Sequence, residues 1–165
     1  MADVPTPSQT VGPFFAFALP FAGGQQAADG AGPESVRIQG QLLDGADEPV
    51  PDGLLEVWQA DQFARSQTDP EGAFHFVVRK PPAIPGPNGA LQAPHLNVIV
   101  FARGLLKHLV TRLYFPDEAA ANAVDAVLQE VEPERRHTLI ARDDGGVLHF
   151  DVHLQGEDET VFFAS

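Results

Sequence analysis

The chain has 165 residues, 44% of them hydrophobic and 20% charged, which suits one globular domain and excludes a disordered or collagenous chain. Ten Lys and Arg against 23 Asp and Glu leave a net charge of −13, so neither nucleic acid nor an anionic membrane surface is expected as a partner. The absence of Cys excludes disulfides, thiolate-held metals and a thiol nucleophile.

Residues 1–35 read as an extended arm. Pro5, Pro7, Pro13, Pro20 and Pro33, with a Gly/Ala/Gln-rich tract from Ala22 to Gly32, leave no room for a sustained helix or a central strand. Phe14, Phe15, Phe17 and Phe21 lie in this arm, and four phenylalanines in water would make an unusual exposed patch. The arm is therefore expected to lie against its own sandwich or a neighbouring chain. No Lys or Arg precedes Arg37, and Pro13 and Pro20 interrupt the apolar stretch from Phe14 to Ala22, so a signal peptide is not expected. No run is long enough to span a bilayer, and the expected location is cytoplasmic.

From Val36 the pattern changes to period two. Val36, Ile38, Gly40 and Leu42 alternate with Arg37, Gln39 and Gln41, as in a half-buried strand. Further strands are expected over Leu54–Trp58, Ala73–Val78, His95–Phe101, Leu109–Phe115, Thr138–Arg142 and Val147–Leu154. Turn clusters separate them at Asp44-Gly45, Pro49–Gly53, Asp69–Gly72, Pro81–Gly89 and Asp143–Gly146. Between Asp117 and Val131, Val124, Val127, Leu128 and Val131 keep helical spacing in an Ala-rich run that ends before Pro133. The expected class is all-β over residues 1–165: an arm over 1–35, then a β-sandwich over 36–165 with one short inserted helix.

Common catalytic motifs are missing. There is no phosphate-binding loop, dinucleotide fingerprint or His-Glu-x-x-His pattern, and none of Ser8, Ser35, Ser66 and Ser165 sits in a nucleophile elbow. His149, Asp151 and His153 would share one strand face. On a flat strand, however, the outer two would stand about 13 Å apart, too far for one metal ion. They read as the polar side of an amphipathic strand. His95 and Asn97 form a second suggestive pair, after a Pro-rich loop. Trp58, the only Trp, is expected to pack in the core.

Several segments, in order, are similar to the protocatechuate 3,4-dioxygenases, intradiol ring-cleaving enzymes of two homologous subunits built on a β-sandwich. They are Thr6-Pro-Ser-Gln-Thr-Val-Gly-Pro13, Leu55-Glu-Val-Trp-Gln-Ala-Asp61, Ala93-Pro-His-Leu-Asn-Val98, Phe101-Ala-Arg-Gly-Leu105, Leu109-Val-Thr-Arg-Leu-Tyr-Phe115, Arg135-Arg-His-Thr-Leu-Ile-Ala141, Phe150-Asp to Gln155-Gly-Glu, and Glu159-Thr-Val-Phe-Phe163. The resemblance implies a ferric site of two tyrosinates and two histidines in the catalytic subunit. Its positions here would be Ser66, Ile84, His95 and Asn97, so three of four ligands are lost, and the single Tyr114 lies at neither tyrosinate position. What the resemblance implies is the non-iron, alpha-type subunit: no metal bound and no catalytic residue in this chain alone. Iron(III) would be held by a homologous beta subunit, in a higher hetero-oligomer of alpha–beta pairs.

By the same resemblance, the chain would complete the partner's substrate site with Thr10, Gly12 and Pro13 of a Thr-x-Gly-Pro segment and with Arg103 of Phe-Ala-Arg-Gly. The small aromatic substrate carries a carboxylate, and a chain of net charge −13 needs a local cation to receive it. Phe14 stands where the family often has Tyr, and the first ligand's loop is short. A self-sufficient intradiol dioxygenase would need two tyrosines. A non-enzymatic β-sandwich binding module, for a carbohydrate or as a carrier, would have to bind through aromatics, with Trp58 its main candidate.

Overall fold

The computed structural model describes residues 7–12, 15–28, 34–86 and 89–164. In chain order its elements are a helical turn α1 (Phe15–Ala18), then strands β1 (Ser35–Leu43), β2 (Leu54–Gln59), β3 (Gln62–Gln67), β4 (Ala73–Arg79), β5 (Ile84–Pro85), β6 (Leu91–Gln92), β7 (His95–Phe101) and β8 (Leu109–Tyr114). Two short helices follow, α2 (Ala119–Asn122) and α3 (Ala126–Glu130), and after them β9 (Arg142–Asp144), β10 (Val147–His149) and β11 (Val152–His153). No described helix is long and apolar enough to cross a membrane.

Two sheets form a β-sandwich. In the first, β1 pairs antiparallel with β4 on one edge and parallel with β10 and β11 on the other, and β9 extends beyond β10. The second is antiparallel throughout, in the order β3-β2-β7-β8. Period two decides what meets between them. Ile38, Leu42, Phe74, Phe76, Val78, Leu148 and Val152 come from the first sheet, and Leu55, Val57, Ala64, Leu96, Val98, Val100 and Leu113 from the second. The same parity corrects the expectation for Trp58. Leu55 and Val57 point inward, so Trp58 points out and is 44% exposed, opposite Phe63 on β3, itself 43% exposed.

The arm lies partly on its own sandwich. Arg65 N–H of β3 donates to Gly24 O, Val77 N–H of β4 donates to Gln25 O, and Ala27 N–H donates back to Val77 O, so residues 24–27 stitch an edge strand of each sheet. Phe15 is buried in the α1 turn, but Phe17 and Phe21 remain exposed, with Arg65 over the Phe21 and Phe63 rings. Phe14 lies outside the described residues.

Four further expectations are corrected. The expected 117–131 helix is two pieces because Asp125 adopts an extended conformation and caps α3, its Oδ1 accepting from Leu128 N–H. Over 133–139, in place of a strand reaching back to Thr138, there is a 3-10 segment opened by Pro133; Thr138 Oγ1 donates to Arg135 O within it. Val147–Leu154 is split because Gln41 N–H is taken by the Asp151 carboxylate instead of a backbone carbonyl. Strand β3 escaped notice because its hairpin turns through Ala60, at φ 53°, without glycine or asparagine. The Pro81–Gly89 loop also holds β5, which pairs with β6.

Over the end of the second sheet, Tyr114, Leu128, Val131 and Leu139 make a smaller core. Asp125 anchors it: Oδ1 accepts from Tyr114 Oη at 3.0 Å and from Leu128 N–H, and Oδ2 accepts from Ala93 N–H at 2.7 Å. Burial pushes the Tyr114 phenol well above its ordinary range, against the opposing pull of Arg112.

Two outcomes are expected. A Cβ on Gly40 would sit 1.9 Å from Phe150 O, so Gly40→Ala must push β1 away from the Phe150 backbone. Denaturant unfolding should show a loss of about 3 kcal/mol or more. For Tyr114, the only tyrosine, a folded-state proton affinity above the unfolded one gives stability that is whole below pH about 10 and lost as pH rises beyond it. Phenolate absorbance should therefore appear together with loss of circular dichroism, not ahead of it.

Candidate functional site

Three loops meet at the end of β7. The Ala102–His108 loop turns through Gly104 at φ 87°, and Gly104 N–H donates to Thr10 Oγ1 at 3.2 Å, which ties the N-terminal segment to this corner. Neighbouring Arg103 extends into solvent, its side chain 68% exposed, and its Nε is ion-paired with Asp52 from the Pro49–Gly53 turn before β2. Pairing through Nε leaves the terminal guanidinium nitrogens free to fork onto a carboxylate. Beside this corner, Val11, Phe101, Leu105 and His108 help line an open groove of about 490 Å³.

Gly12 is exposed, and a Cβ built on it would meet nothing within 4 Å. Its lack of a side chain therefore serves no packing need among the described residues. Pro13 lies outside the described residues. Thr10 and Arg103 thus come together through Gly104, with Gly12 two residues along the same segment. The sequence marks Asp52 only as part of a turn cluster and offers no signal for its ion pair, because its partner lies on a distant loop.

The four positions of the implied iron site are not assembled into a ligand set. His95 and Asn97 project from the outer face of β7, since Leu96 and Val98 face the core. Ser66 shares the inner face of β3 with Ala64, and its Oγ accepts from His75 N–H of β4, on the opposite side of the sheet from His95. Ile84 belongs to the small β5–β6 hairpin, opposite Gln92. Asn97 Nδ2 makes a long bond of 3.5 Å to Trp58 O.

His95 itself is spoken for. Its Nδ1 lies 2.7 Å from Ala93 O, an acceptor only, so Nδ1 carries the proton and Nε2 accepts from Gln59 Nε2 at 3.1 Å. Burial, with a smaller push from Arg112, lowers the proton affinity of this imidazole, so it stays neutral at pH 7. Gln59 lies in the Trp58-Gln-Ala segment, but nothing in the sequence showed that its amide would cap His95. Tyr114 Oη is bonded to Asp125 and cannot serve as a phenolate. A serine, an isoleucine, an asparagine and a capped imidazole do not fit a ferric ion, which prefers hard anionic oxygen donors.

No protein-family model matches the chain. It is 43% identical to the protocatechuate 3,4-dioxygenase alpha chain of Burkholderia cepacia, over 96% of both chains. Similarity to the protocatechuate 3,4-dioxygenase beta chain of the same organism is lower, at 31% identity over 77% of this chain and 67% of that one. Among solved structures, the dioxygenase domain of a dioxygenase carbohydrate-binding protein fusion from Streptomyces sp. SirexAA-E superposes with a TM-score of 0.63 at 26% identity, covering 93% of this chain and 99% of that one. The order of the strands, the tethered N-terminal segment and these likenesses converge, and the chain belongs to the protocatechuate 3,4-dioxygenase family of intradiol ring-cleavage dioxygenases, on its alpha-chain side.

Proposed function

We propose that this chain is the non-iron subunit of a cytoplasmic hetero-oligomer of alpha–beta pairs, in which a homologous beta subunit holds the iron(III) and opens protocatechuate with O2 to 3-carboxy-cis,cis-muconate. One observation carries the reading. The remnant ligand positions supply no ferric donor set, while Thr10 and the Arg103–Gly104 corner are tied together at an open edge of the sandwich. In this role the chain supplies no catalytic group. It offers the Thr10, Gly12 and Pro13 segment as a wall of the shared pocket and the Arg103 guanidinium as the cation that receives the substrate carboxylate. Asp52 orients Arg103 by holding Nε, so the terminal nitrogens face outward.

The exposed aromatics suit a partner-covered surface. Phe17, Phe21, Trp58 and Phe63 are each more than 40% exposed, and obligate interfaces bury such side chains. A carbohydrate module would use the same aromatics, but an open sugar platform does not explain the Arg103–Asp52 pair or the tethered Thr10.

Two outcomes test this. The chain expressed alone should contain far less than one iron per chain by elemental analysis and lack visible tyrosinate-to-iron absorption; a full equivalent of iron would overturn the subunit assignment. In the co-expressed assembly, Arg103→Ala should raise the KM for protocatechuate about ten- to a hundredfold, the worth of a charge-assisted contact, with iron content unchanged. Asp52→Asn should raise it at most about fivefold, since the exposed pair only orients the cation. Catechol, which has no carboxylate, should be little affected by either change. Equal losses for both substrates would make Arg103 an interface residue instead.

A further inference from the structure

The outer face of the first sheet carries a polar groove that the proposed function does not use. Strand register sets one side chain from each of four strands in a single row: His75 of β4 opposite Gln39 of β1, Gln39 opposite His149 of β10, and His149 opposite Arg142 of β9. Arg37 stands two residues along β1 from Gln39 and so shares its face. These side chains line a groove of about 530 Å³, within the size range of small-molecule sites.

In a chain with 10 Lys and Arg and 23 Asp and Glu, a cation should readily find a carboxylate. Arg65, Arg79, Lys80, Arg103, Arg135 and Arg142 all do. Arg37, Lys107, Arg112 and Arg136 have no ion pair among the described residues, and of these four Arg37 is the one that lines the groove.

The acids that line the groove already have partners, in one case Arg142 of the groove itself. Asp69 Oδ1 accepts from Glu71 N–H and Ala73 N–H in its turn. Asp151 Oδ1 accepts from Gln41 N–H, and Oδ2 meets Arg142 at 3.4 Å. Asp144, 86% exposed, reaches His149 only at 3.9 Å. Burial, and then the charge of Arg37, lowers the proton affinity of His75.

We propose that this groove binds a small organic dicarboxylate, with Arg37 and Arg142 each receiving one carboxylate and the Gln39 and His149 side chains between them facing its carbon skeleton. Two strand spacings and two residue steps separate the Cα atoms of the two arginines, about 12 Å. Long side chains reaching inward from both ends shorten that gap to the span of a four- to six-carbon dicarboxylate. A single phosphate is too short to engage both ends in this way. The groove lies on the opposite sheet from Thr10 and Arg103, so it stands apart from the proposed substrate corner.

The test is a calorimetric titration of the full-length chain in its native assembly with adipate at pH 7 and constant ionic strength, with inorganic phosphate and acetate in parallel. Adipate should bind saturably, with phosphate and acetate at least about tenfold weaker. Arg37→Gln, which breaks no ion pair, should weaken adipate about tenfold while leaving the melting temperature and the ring-cleavage rate unchanged. Arg142→Gln should weaken it similarly and serves as an independent second variant. Equal binding of phosphate and adipate, no saturable adipate binding, or unchanged adipate affinity in both variants would overturn the proposal. None of these results bears on the role of Arg103, so the two readings fail separately.

Discussion

The contact between Gly40 and the backbone of Phe150 is the constraint on which the sandwich depends. β1 is the long strand at the middle of the first sheet: β4 lies antiparallel on one side, β10 and β11 parallel on the other. Residues 147–153 can run alongside it only where no Cβ intervenes, and Phe150 N–H then donates to Gln39 O at 2.9 Å. That bond places Leu148, Phe150 and Val152 against Phe74, Phe76 and the apolar face of the second sheet. A larger residue at position 40 would lift the returning segment, and with it a large share of the apolar surface the sandwich keeps from water.

At the far end of the second sheet, Asp125 does for the small core what Gly40 does for the large one. One carboxylate accepts hydrogen bonds from Tyr114 Oη and from the N–H groups of Ala93 and Leu128, and so joins the turn before β7, the end of β8 and the start of α3. His95, stacked near Tyr114 and capped by Gln59, is the last member of this network. Buried polar groups satisfied in this way are rigid and costly to disturb. The region is therefore closed and occupied by its own side chains. Two openings of the molecule lie elsewhere, at the Thr10–Arg103 corner and in the groove across β4, β1, β10 and β9.

Charge separates these two openings from the remaining surface. Most cations of this acidic chain are held by its own carboxylates, which leaves little positive field to spare. Arg103 keeps its terminal nitrogens free because Asp52 engages Nε, and Arg37 has no ion pair among the described residues while the acids that line its groove, Asp69 and Asp151, are bonded to backbone N–H groups. In both places, what a carboxylate can bind depends on where the chain's own acids are already engaged.

The sequence by itself determined the sandwich class, because period-two alternation records burial directly: β1, β4, β7 and β8 lie within about a residue of where that alternation predicts them. It also determined that two tyrosinates were unavailable, a matter of counting, and the resemblance named Thr10, Gly12, Pro13 and Arg103 as candidates. Only the tertiary structure decided which face a residue occupies once strands pair, and so turned Trp58 outward and set Ser66 on the opposite side of its sheet from His95. It alone brought Asp52 to Arg103, Gln59 to His95 and Arg37 into line with His75 and Arg142. Those partners lie 36 to 105 positions apart, and a local pattern holds no information about which distant side chain will satisfy a charge or a lone pair. That is settled when the two sheets close and water leaves the space between them.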